Sequence, residues 1–298
     1  MKVLLTGGTG FIGKALIQSL LQSEHQITVL SRNPQQVAEL CGKNVAALGR
    51  LDELTAEDHF DAVINLAGAP IFDRRWTDAR KQLIWDSRVK LTEQLIEAIN
   101  KMKVKPQILI SGSAIGYYGN QGDTELTEQS SYRDDFSHRL CEAWETEAKK
   151  AEALGVRVCI IRTGLVVAPG GGIVGRMLLP FKLGLGGRIG DGKQWMSWIH
   201  RDDWINIALA MIDNQSMQGV YNATAPAPRT NAEFTRVLAA CLKRPALIPV
   251  PAFLLNLLLG EMAELVLGSQ RVLPKRLLDQ AFQFKYTELD DALLDAVK

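Results

Sequence analysis

The chain has 298 residues, which at a typical ~150 residues per domain is enough for about two domains. Its 34 basic and 33 acidic residues give a net charge of +1, which argues against a nucleic-acid or polyanion partner. A hydrophobic content of 47% excludes a largely disordered chain and predicts a real core.

The chain opens with a predicted strand, a glycine-rich turn and a predicted helix. Residues 2–6 are mostly apolar, and residues 14–21 repeat apolar side chains at helical spacing. Gly7 permits a tight turn, Gly10 lets a pyrophosphate approach the backbone, and Gly13 lets the helix pack closely on the strand. Free N–H groups and the positive dipole end of the helix favour phosphate there. The order predicts a dinucleotide site, and a purely structural turn is the alternative.

The end of the second predicted strand, residues 26–30, indicates which dinucleotide binds. An Asp or Glu at this place grips the ribose 2′-hydroxyl of NAD, whereas an Arg accommodates a 2′-phosphate. Here Ser31 and Arg32 follow the strand, and a guanidinium binds phosphate through two parallel hydrogen bonds. We therefore predict NADP(H) rather than NAD(H). The alternative is that Arg32 is a solvated loop residue.

Two further features lie between residues 60 and 101. Residues 60–68 form a predicted strand whose small end residues, Ala67 and Gly68, would let it lie against a ribose or nicotinamide. A turn that simply needs glycine is the alternative. A long helix is predicted over residues 77–101, and Arg88 in its middle is either solvated or directed at the cofactor cleft.

A strand predicted over residues 106–111 runs into a group of hydroxyl-bearing side chains. Ser113, Tyr117 and Tyr118 follow it, and strand ends line the ligand crevice of an open α/β sheet. They are candidate polar site residues, unless the serine caps a turn and the tyrosines are core. Strands and helices alternate as far as residue 162, which predicts an α/β fold with a Rossmann-type, doubly wound parallel sheet.

The pattern changes after Gly164. A flexible break over 166–172 is predicted first. Helices over 177–185, 204–212 (capped by Asp202 or Asp203) and 230–242 follow, with a strand over 219–223. The predicted organisation is a nucleotide-binding domain of residues 1–165, to which 195–225 return, and a smaller, mostly helical substrate-binding domain of residues 166–298.

The longest apolar run, residues 253–259, is too short to span a bilayer, so we expect a buried helix there and no membrane partner. Cysteines and histidines are scattered without metal-ligand spacing, so we predict no metal site. The start of the chain enters a strand directly, with no signal-peptide pattern. We therefore expect free thiols and a cytoplasmic protein.

Several segments resemble the extended short-chain dehydrogenase/reductase superfamily, which includes nucleotide-sugar epimerases and dehydratases. The resemblance rests on residues 6–13, 65–68, 111–113, 198–203 and 219–222. Residues 74–76, 87–88, 177–187 and 270–274 resemble a narrower, atypical branch, the "epimerase family" proteins.

This resemblance implies an NADP cofactor and a small-molecule substrate, such as a nucleotide sugar or another carbonyl compound. Relatives in this superfamily are often dimers, so a homodimer is a further expectation. The residues implied to contact the cofactor are Gly10, Phe11, Ile12, Gly13, Ser31, Arg32, Leu66, Ala67 and Arg88, to which the glycine pattern adds Gly7 and Gly68.

One element of the superfamily is absent. Its chemistry uses Tyr-x-x-x-Lys, in which the Lys lowers the pKa of the Tyr from about 10. None of the five tyrosines here is followed by Lys at that spacing, and Cys141 and Glu145 stand where the motif belongs. A carboxylate raises the pKa of a neighbouring acid rather than lowering it. Ser113 matches the family's serine.

Two functions remain open, beside a less favoured third: a structural relic that needs the cofactor only to fold. The first is an NADP-dependent oxidoreductase or epimerase with a non-standard proton relay: Ser113 as the carbonyl hydrogen-bond donor, Tyr117 or Tyr118 as the acid, and Glu145 as the base. The alternative is a catalytically silent NADP(H)-binding module that reports redox state to a partner. A basic group of Arg271, Lys275 and Arg276 either meets a substrate phosphate or, as we favour, forms a solvated helix end.

Overall fold

The computed structural model describes residues 1–298, and a seven-stranded parallel sheet lies at its centre. The strands of the chain are β1 (Lys2–Thr6), β2 (Gln26–Leu30), β3 (Ala46–Leu48), β4 (Ala62–Asn65), β5 (Ile108–Ala114), β6 (Glu125–Leu126), β7 (Arg157–Thr163), β8 (Leu165–Ala168), β9 (Trp195–Met196), β10 (Trp198–His200), β11 (Gly219–Ala223), β12 (Arg229–Thr230) and β13 (Arg271–Val272).

The order across the sheet is β11-β7-β5-β4-β1-β2-β3, and every pair in it is parallel. The chain builds outward from β1 to β3 and then returns to build β4, β5, β7 and β11 on the other side. The switch between β1 and β4 opens a crevice at their carboxyl ends, where open α/β sheets bind ligands. The predicted Rossmann-type, doubly wound fold is confirmed.

Helices cover both faces of the sheet and continue into the second half of the chain. They are α1 (Phe11–Gln22), α2 (Val37–Cys41), α3 (Asp78–Trp85), α4 (Leu91–Lys101), α5 (Phe136–Lys149), α6 (Gly172–Lys182), α7 (Arg201–Asp213), α8 (Asn231–Leu242), α9 (Ala252–Leu259), α10 (Glu264–Leu267), α11 (Lys275–Asp279) and α12 (Leu289–Ala296). Short 3-10 turns occupy Pro34–Gln36, Leu51–Glu53, Ile115–Tyr118, Lys150–Leu154 and Gly260–Ala263.

The central strands are apolar along their whole length because both faces of the sheet are covered. Val3 and Leu5 of β1 belong to a core cluster of 27 buried residues on one face. Leu4, between them, belongs to a separate cluster of 14 on the other face. This division follows the alternation of side chains along a strand, and burial on both faces is typical of parallel sheets.

A third core belongs to the second half of the chain. It joins α6, α8 and α12 to the parallel pair β8 and β10, with Trp198 and Phe234 fully buried at its centre. The strand β11 returns to the central sheet beside β7. Outside that sheet, β9 pairs with β12 and β10 pairs with β8. The proposed domain boundaries stay a prediction.

The long helix predicted over residues 77–101 is present, with one irregular turn. Asp86–Lys90 forms a π-helical turn between α3 and α4, and Arg88 lies in it. Single π turns inside α-helices are rare and frequently occur at functional sites. The turn faces the crevice at the end of β4.

Three local predictions were wrong. Residues 166–172 are not a simple break, since β8 occupies part of them and α6 already begins at Gly172. Helix α7 begins at Arg201, and its cap is the imidazole of His200, which accepts the Asp202 N–H at 3.2 Å. The apolar run of residues 253–259 forms α9, but none of its residues is buried. No helix of the protein is long and apolar enough to cross a membrane.

Candidate functional site

A cavity of about 860 Å³ runs along the carboxyl ends of the strands on both sides of β1. Its walls include seven of the residues predicted to bind a cofactor: Gly7, Gly10, Ser31, Arg32, Leu66, Ala67 and Gly68. Phe11, Ile12, Gly13 and Arg88 do not line it directly. The structure therefore brings the segments that follow β1, β2 and β4 together around one space.

The glycine-rich turn is shaped by close backbone contacts. Gly7 has a positive φ of 72°, and a Cβ there would lie 2.6 Å from the carbonyl carbon of Leu66. A Cβ on Gly13 would lie only 2.3 Å from the Gly7 carbonyl oxygen. The glycines are required because the helix start and the neighbouring strand end both pass directly against this turn.

The first turn of α1 presents backbone donors without partners in the protein. Gly10 caps the helix with no side-chain hydrogen bond, and the first helical bond runs from Lys14 N–H to the Gly10 carbonyl. The amides of Phe11, Ile12 and Gly13 precede that bond. Unused amides and a positive dipole end form an anion site, so this cradle fits the diphosphate of a dinucleotide. These three residues would act through their backbone, which explains why they are not walls of the cavity.

A buried hydrogen-bond chain fixes the two strand ends beside the cradle. The Thr6 hydroxyl donates to the Asn65 side chain at 2.7 Å and accepts the N–H groups of Leu66 and Ala67. The Asn65 amide donates to the Thr92 hydroxyl at 2.8 Å, which donates to the Arg88 carbonyl. The switch point is therefore rigid down to the π-helical turn.

The far end of the cavity is basic and solvent-exposed. Ser31 N–H bonds the Leu48 carbonyl, which holds the ends of β2 and β3 together. Arg32 and Arg50 line this end, and Arg50 pairs with Asp52. Arg50 was not among the residues predicted from the sequence. Its signal was its position two residues after β3, the neighbour of the strand that precedes Arg32.

Arg88 lies beneath the β4 end rather than in solvent. Its Nη1 donates to the Ala69 carbonyl at 3.1 Å, and its guanidinium would contact any Cβ placed on Gly68, at 2.7 Å from Cζ. Burial lowers the pKa of Arg88 to about 10, so the side chain stays charged at neutral pH. Arg88 therefore supports the loop of residues 68–69 that lines the cavity, and its contact with a cofactor stays a prediction.

A loop from the second half of the chain packs on the cradle. Phe11 fills the space beside Gly171, where a Cβ would lie 2.5 Å from its ring. The guanidinium of Arg201 lies 5.0 Å from the centre of the same ring. The starts of α6 and α7 therefore both pack against Phe11 of α1, beside the predicted phosphate position.

The catalytic candidates Ser113 and Glu145 form one buried unit with a third residue. The Ser113 hydroxyl donates to Oε1 of Glu145 at 2.7 Å. Arg162 grips the same carboxylate through Nε and Nη2, at 2.8 and 2.9 Å. All three side chains are buried, with 4% or less of each residue exposed. The ion pair neutralises the negative charge that Glu145 would otherwise bring to this place.

Arg162 also contacts both tyrosines that follow β5. Its Nη1 donates to the Tyr118 hydroxyl at 3.0 Å, and its Cζ lies 3.3 Å from the centre of the Tyr117 ring. Burial raises the pKa of Tyr118 to about 12, although Arg162 opposes the shift. Burial also raises the pKa of Tyr117. Burial alone would lower the pKa of Arg162. The hydrogen bonds to Glu145 and the negative charge of that residue outweigh burial and raise the pKa of Arg162. Both phenols are thus protonated at neutral pH.

The two tyrosines are not equivalent. Tyr118 is fully buried, and its hydroxyl donates to the Asn222 side chain at 2.7 Å. The Tyr117 ring is only half-buried, and its phenol interacts with the Arg162 guanidinium. Tyr117 is the phenol that remains available to a ligand.

Arg162 was not predicted from the sequence, although a signal existed. Ser113 of β5 and Arg162 of β7 are direct partners in the register of the sheet, and in-register residues of parallel strands share a face. Cys141, the residue in place of the usual tyrosine, lies one turn before Glu145 on α5. Burial first, and the Glu145 charge second, raise the pKa of its thiol to about 12, so it is unreactive.

The C-terminal basic group is occupied by protein partners. Arg271 pairs with Glu125 at 3.0 Å, and Lys275 pairs with Asp279. Arg276 donates to the Val220 carbonyl and to the Tyr221 hydroxyl. This arrangement differs from the favoured interpretation of a solvated helix end, because Arg271 lies on β13 and Arg276 donates to groups of β11. No three His, Cys, Asp or Glu side chains come together in a way that could hold a metal ion.

Comparison with known proteins gives matches along the whole chain. The model of the NAD dependent epimerase/dehydratase family matches residues 3–224, and a domain of unknown function (DUF1731) matches residues 250–296. The chain is 38% identical over 298 residues to "Epimerase family protein YfhF" of Bacillus subtilis (strain 168), covering 98% of this chain and 97% of that protein.

Two solved structures are similar to the chain. The crystal structure of human epimerase family protein SDR39U1 (isoform2) with NADPH has a TM-score of 0.89 and 36% identity, covering 99% of this chain and 98% of that one. UDP-glucuronic acid 4-epimerase from Bacillus cereus, in complex with UDP-glucuronic acid and NAD, has a TM-score of 0.80 at 18% identity, covering 99% and 97%. The second similarity concerns the fold alone.

Proposed function

The chain belongs to the NAD-dependent epimerase/dehydratase family, and on that premise we propose that it is an NADP(H)-dependent oxidoreductase or nucleotide-sugar epimerase-type enzyme. In this proposal Ser113, Tyr117 and the Glu145–Arg162 pair replace the missing Tyr-x-x-x-Lys relay. The observation that carries it is the position of the Arg162 guanidinium. It lies against the Tyr117 ring and binds the Glu145 carboxylate, which accepts a hydrogen bond from Ser113.

The choice of NADP(H) rests on the basic far end of the cavity. Arg32 and Arg50 both line it, and no carboxylate follows β2 directly. A similar human protein was crystallised with NADPH, whereas the more distant Bacillus cereus epimerase was crystallised with NAD. A 2′-phosphate is a suitable partner for an exposed guanidinium, while a bare 2′-hydroxyl would give it no charge to bind.

The nicotinamide, when bound, exchanges a hydride with a substrate carbon, and the residues of the chain handle the accompanying proton. The Ser113 hydroxyl, which donates to Glu145 in the free protein, turns to donate a hydrogen bond to the substrate oxygen, and Tyr117, protonated at neutral pH, donates the proton during reduction. In the opposite direction the same step is reversed, and the Tyr117 phenolate takes the proton back from the substrate hydroxyl, while Glu145 stays ionised. Arg162 keeps Glu145 ionised and places positive charge beside the phenol, the electrostatic role that Lys has in the usual motif.

A catalytically silent NADP(H)-binding module is the second candidate, and one observation favours it. Arg162 and Ser113 together make three hydrogen bonds to the Glu145 carboxylate, so protonating it would weaken a buried ion pair. A protein of this kind would bind the cofactor and signal its redox state without turnover. The cytoplasmic location and the homodimer remain predictions.

Turnover assays distinguish the two candidates. Purified protein is incubated with NADPH and a panel of carbonyl compounds, and with UDP-sugars to detect epimerisation. Ser113→Ala and Tyr117→Phe are compared with Tyr132→Phe, which changes an exposed tyrosine that stacks on His138. We expect the first two variants to lower kcat about 100-fold or more, because each removes a proton-transfer or oxyanion partner, and the control to keep activity.

Equilibrium dialysis with NADPH accompanies each assay. Tight NADPH binding without turnover on any substrate would favour the silent module. Turnover that survives Ser113→Ala and Tyr117→Phe unchanged would overturn the assigned residues while leaving the enzyme class intact.

A further inference from the structure

The helix α9 presents an apolar face to solvent. Phe253, Leu254, Leu257 and Leu258 are 72%, 37%, 70% and 59% exposed. Their spacing places them on one side of the helix, while Ala252, Leu255 and Leu259 on the other side are half-buried against the protein. A single exposed leucine needs no explanation, but four large apolar side chains on one helix face do.

A neighbouring segment extends this apolar face. Residues 184–190 run beside residues 245–250, with Val250 N–H bonded to the Arg188 carbonyl and Gly190 N–H to the Val250 carbonyl, both at 2.9 Å. More exposed apolar side chains lie on these two paired segments and on the preceding end of α6. They are Leu179, Leu183, Leu185, Leu247 and Ile248, with exposed fractions between 51% and 83%.

Two segments, residues 175–188 and 243–260, carry charges of one sign, with Asp191 and Glu261 just beyond them. Residues 175–188 contain Arg176, Lys182 and Arg188, residues 243–260 contain Lys243 and Arg244, and neither segment contains an Asp or Glu. Only Arg176 has an acidic partner, Asp73, at 2.7 Å. The two segments form the apolar–basic surface, defined as residues 175–188 and 243–260. Its charge of +5 contrasts with +1 for the whole chain.

We propose that the apolar–basic surface binds the surface of an anionic phospholipid bilayer. Leucine and phenylalanine side chains would enter the boundary between headgroups and acyl chains, and the lysines and arginines would meet lipid phosphates, as in interfacial amphipathic helices. The helix α9 has eight residues and would lie along the interface, since it is far too short to cross it. This proposal departs from the sequence expectation of no membrane partner, which assumed that α9 is buried.

Charge complementarity selects this occupant over a second copy of the chain. A two-fold dimer through this surface would place each basic rim against its counterpart, with no carboxylate in either segment to compensate. A lipid layer instead offers many phosphates at adjustable positions. It also accepts apolar side chains without requiring a matching shape.

Vesicle co-sedimentation of the full chain tests the proposal. Phosphatidylcholine vesicles are compared with vesicles containing about one third phosphatidylglycerol, at low and high salt. Two variants remove the apolar and the electrostatic attraction separately. Phe253→Ser with Leu257→Gln removes apolar side chains, and Lys182→Glu with Arg244→Glu reverses two positive charges. Matched controls change exposed residues elsewhere, Leu278→Gln with Leu294→Gln, and Lys43→Glu with Lys149→Glu.

We expect binding to anionic vesicles only, weakened by salt, and reduced at least about tenfold in both surface variants but in neither control. Unchanged NADPH affinity shows that each variant is folded. The proposal is overturned if wild-type protein does not bind anionic vesicles, or if the surface variants bind as it does. It is also overturned if light scattering detects a dimer that Phe253→Ser with Leu257→Gln dissociates, which assigns the surface to a second copy. Binding to soluble polyglutamate as strong as to vesicles would assign it to an acidic protein.

Discussion

Arg162 shows how a single side chain changes the chemistry expected at a site. Glu145 alone, in place of the usual lysine, would bring negative charge to the catalytic position. The bidentate pair with Arg162 cancels that charge and leaves a guanidinium against the Tyr117 ring. Breaking such a buried pair typically costs about 3–5 kcal/mol, so both residues are also structural.

Arg32 carries the predicted preference for NADP(H). The Arg32→Ala variant should weaken NADPH binding about 10- to 100-fold, the effect of losing one or two charge-assisted hydrogen bonds. NADH affinity should stay within about twofold, since NADH has no 2′-phosphate. Isothermal titration of both cofactors measures this. Arg50→Ala is the comparison, with a smaller expected effect because Asp52 already pairs with that guanidinium. Equal losses for NADPH and NADH on Arg32→Ala would contradict the assignment.

The start of α1 combines a role in folding with the proposed phosphate site in one element. Its glycines let the helix pass directly against the strand ends, and the same close approach leaves its first amides free for an anion. The sequence contained this information because spacing and residue type are local properties. The exposure of α9 could not be predicted in the same way, because an apolar run has one pattern whether it meets a core or a lipid layer.

Two glycine substitutions in helices separate packing from propensity. Gly13→Ala should lower the free energy of unfolding by about 1–3 kcal/mol, because its Cβ would lie 2.3 Å from the Gly7 carbonyl oxygen. It should also abolish NADPH binding by displacing the cradle. Gly175→Ala in α6 is the matched control, since nothing lies within 4 Å of its Cβ, and it should raise stability by about 0.5–1 kcal/mol. Urea denaturation checks both, and a stable, NADPH-binding Gly13→Ala protein would refute the cradle.

Across the molecule, some features of the fold and of the candidate site depend on contacts between distant parts of the sequence and not on local patterns. The strand order follows from the doubly wound topology, and the positions of Ser31, Arg32, Ala67 and Gly68 around one crevice were predictable from it. The Ser113–Arg162 partnership was not used, because it requires the register between β5 and β7. The cap of α7 was also missed. The other ring nitrogen of this cap residue contacts Asp295 of the C-terminal helix α12, a contact between distant parts of the sequence.

His200 connects α7 to the C-terminus in a form that depends on pH. Its Nδ1 accepts the Asp202 N–H, so Nε2 carries the proton and donates to Asp295 at 3.3 Å. Burial lowers the pKa of His200 below its ordinary 6.5. The carboxylates of Asp202 and Asp295 oppose this shift, and Lys285 adds to it. The unfolded chain therefore binds a proton at higher pH than the folded protein does.

This difference makes stability fall as the medium is acidified. The contribution of His200 to the free energy of unfolding should be constant above about pH 7 and should decline as pH falls below the unfolded pKa of about 6.5. Chemical denaturation between about pH 7.5 and 5.5 measures the slope. His200→Gln should reduce the slope more than His25→Gln. Burial also lowers the pKa of His25, but that imidazole lies beside the amino group of Met1, directly before β2. An identical slope in His200→Gln and wild type would exclude this linkage.

The π-helical turn at Asp86–Lys90 holds one residue more than an α-helical turn would need. That extra residue rotates the side chains before it by about 100° around the helix axis relative to the side chains after it. Arg88 reaches the loop of residues 68–69 while α4 keeps its apolar stripe on the sheet, and a regular helix could not satisfy both demands with this spacing. A homologous chain that lacks one residue here would keep its helix and its core, but its arginine would point elsewhere. Loss or gain of a single codon in this turn is thus a route by which related proteins can acquire or abandon the arginine support beneath the crevice.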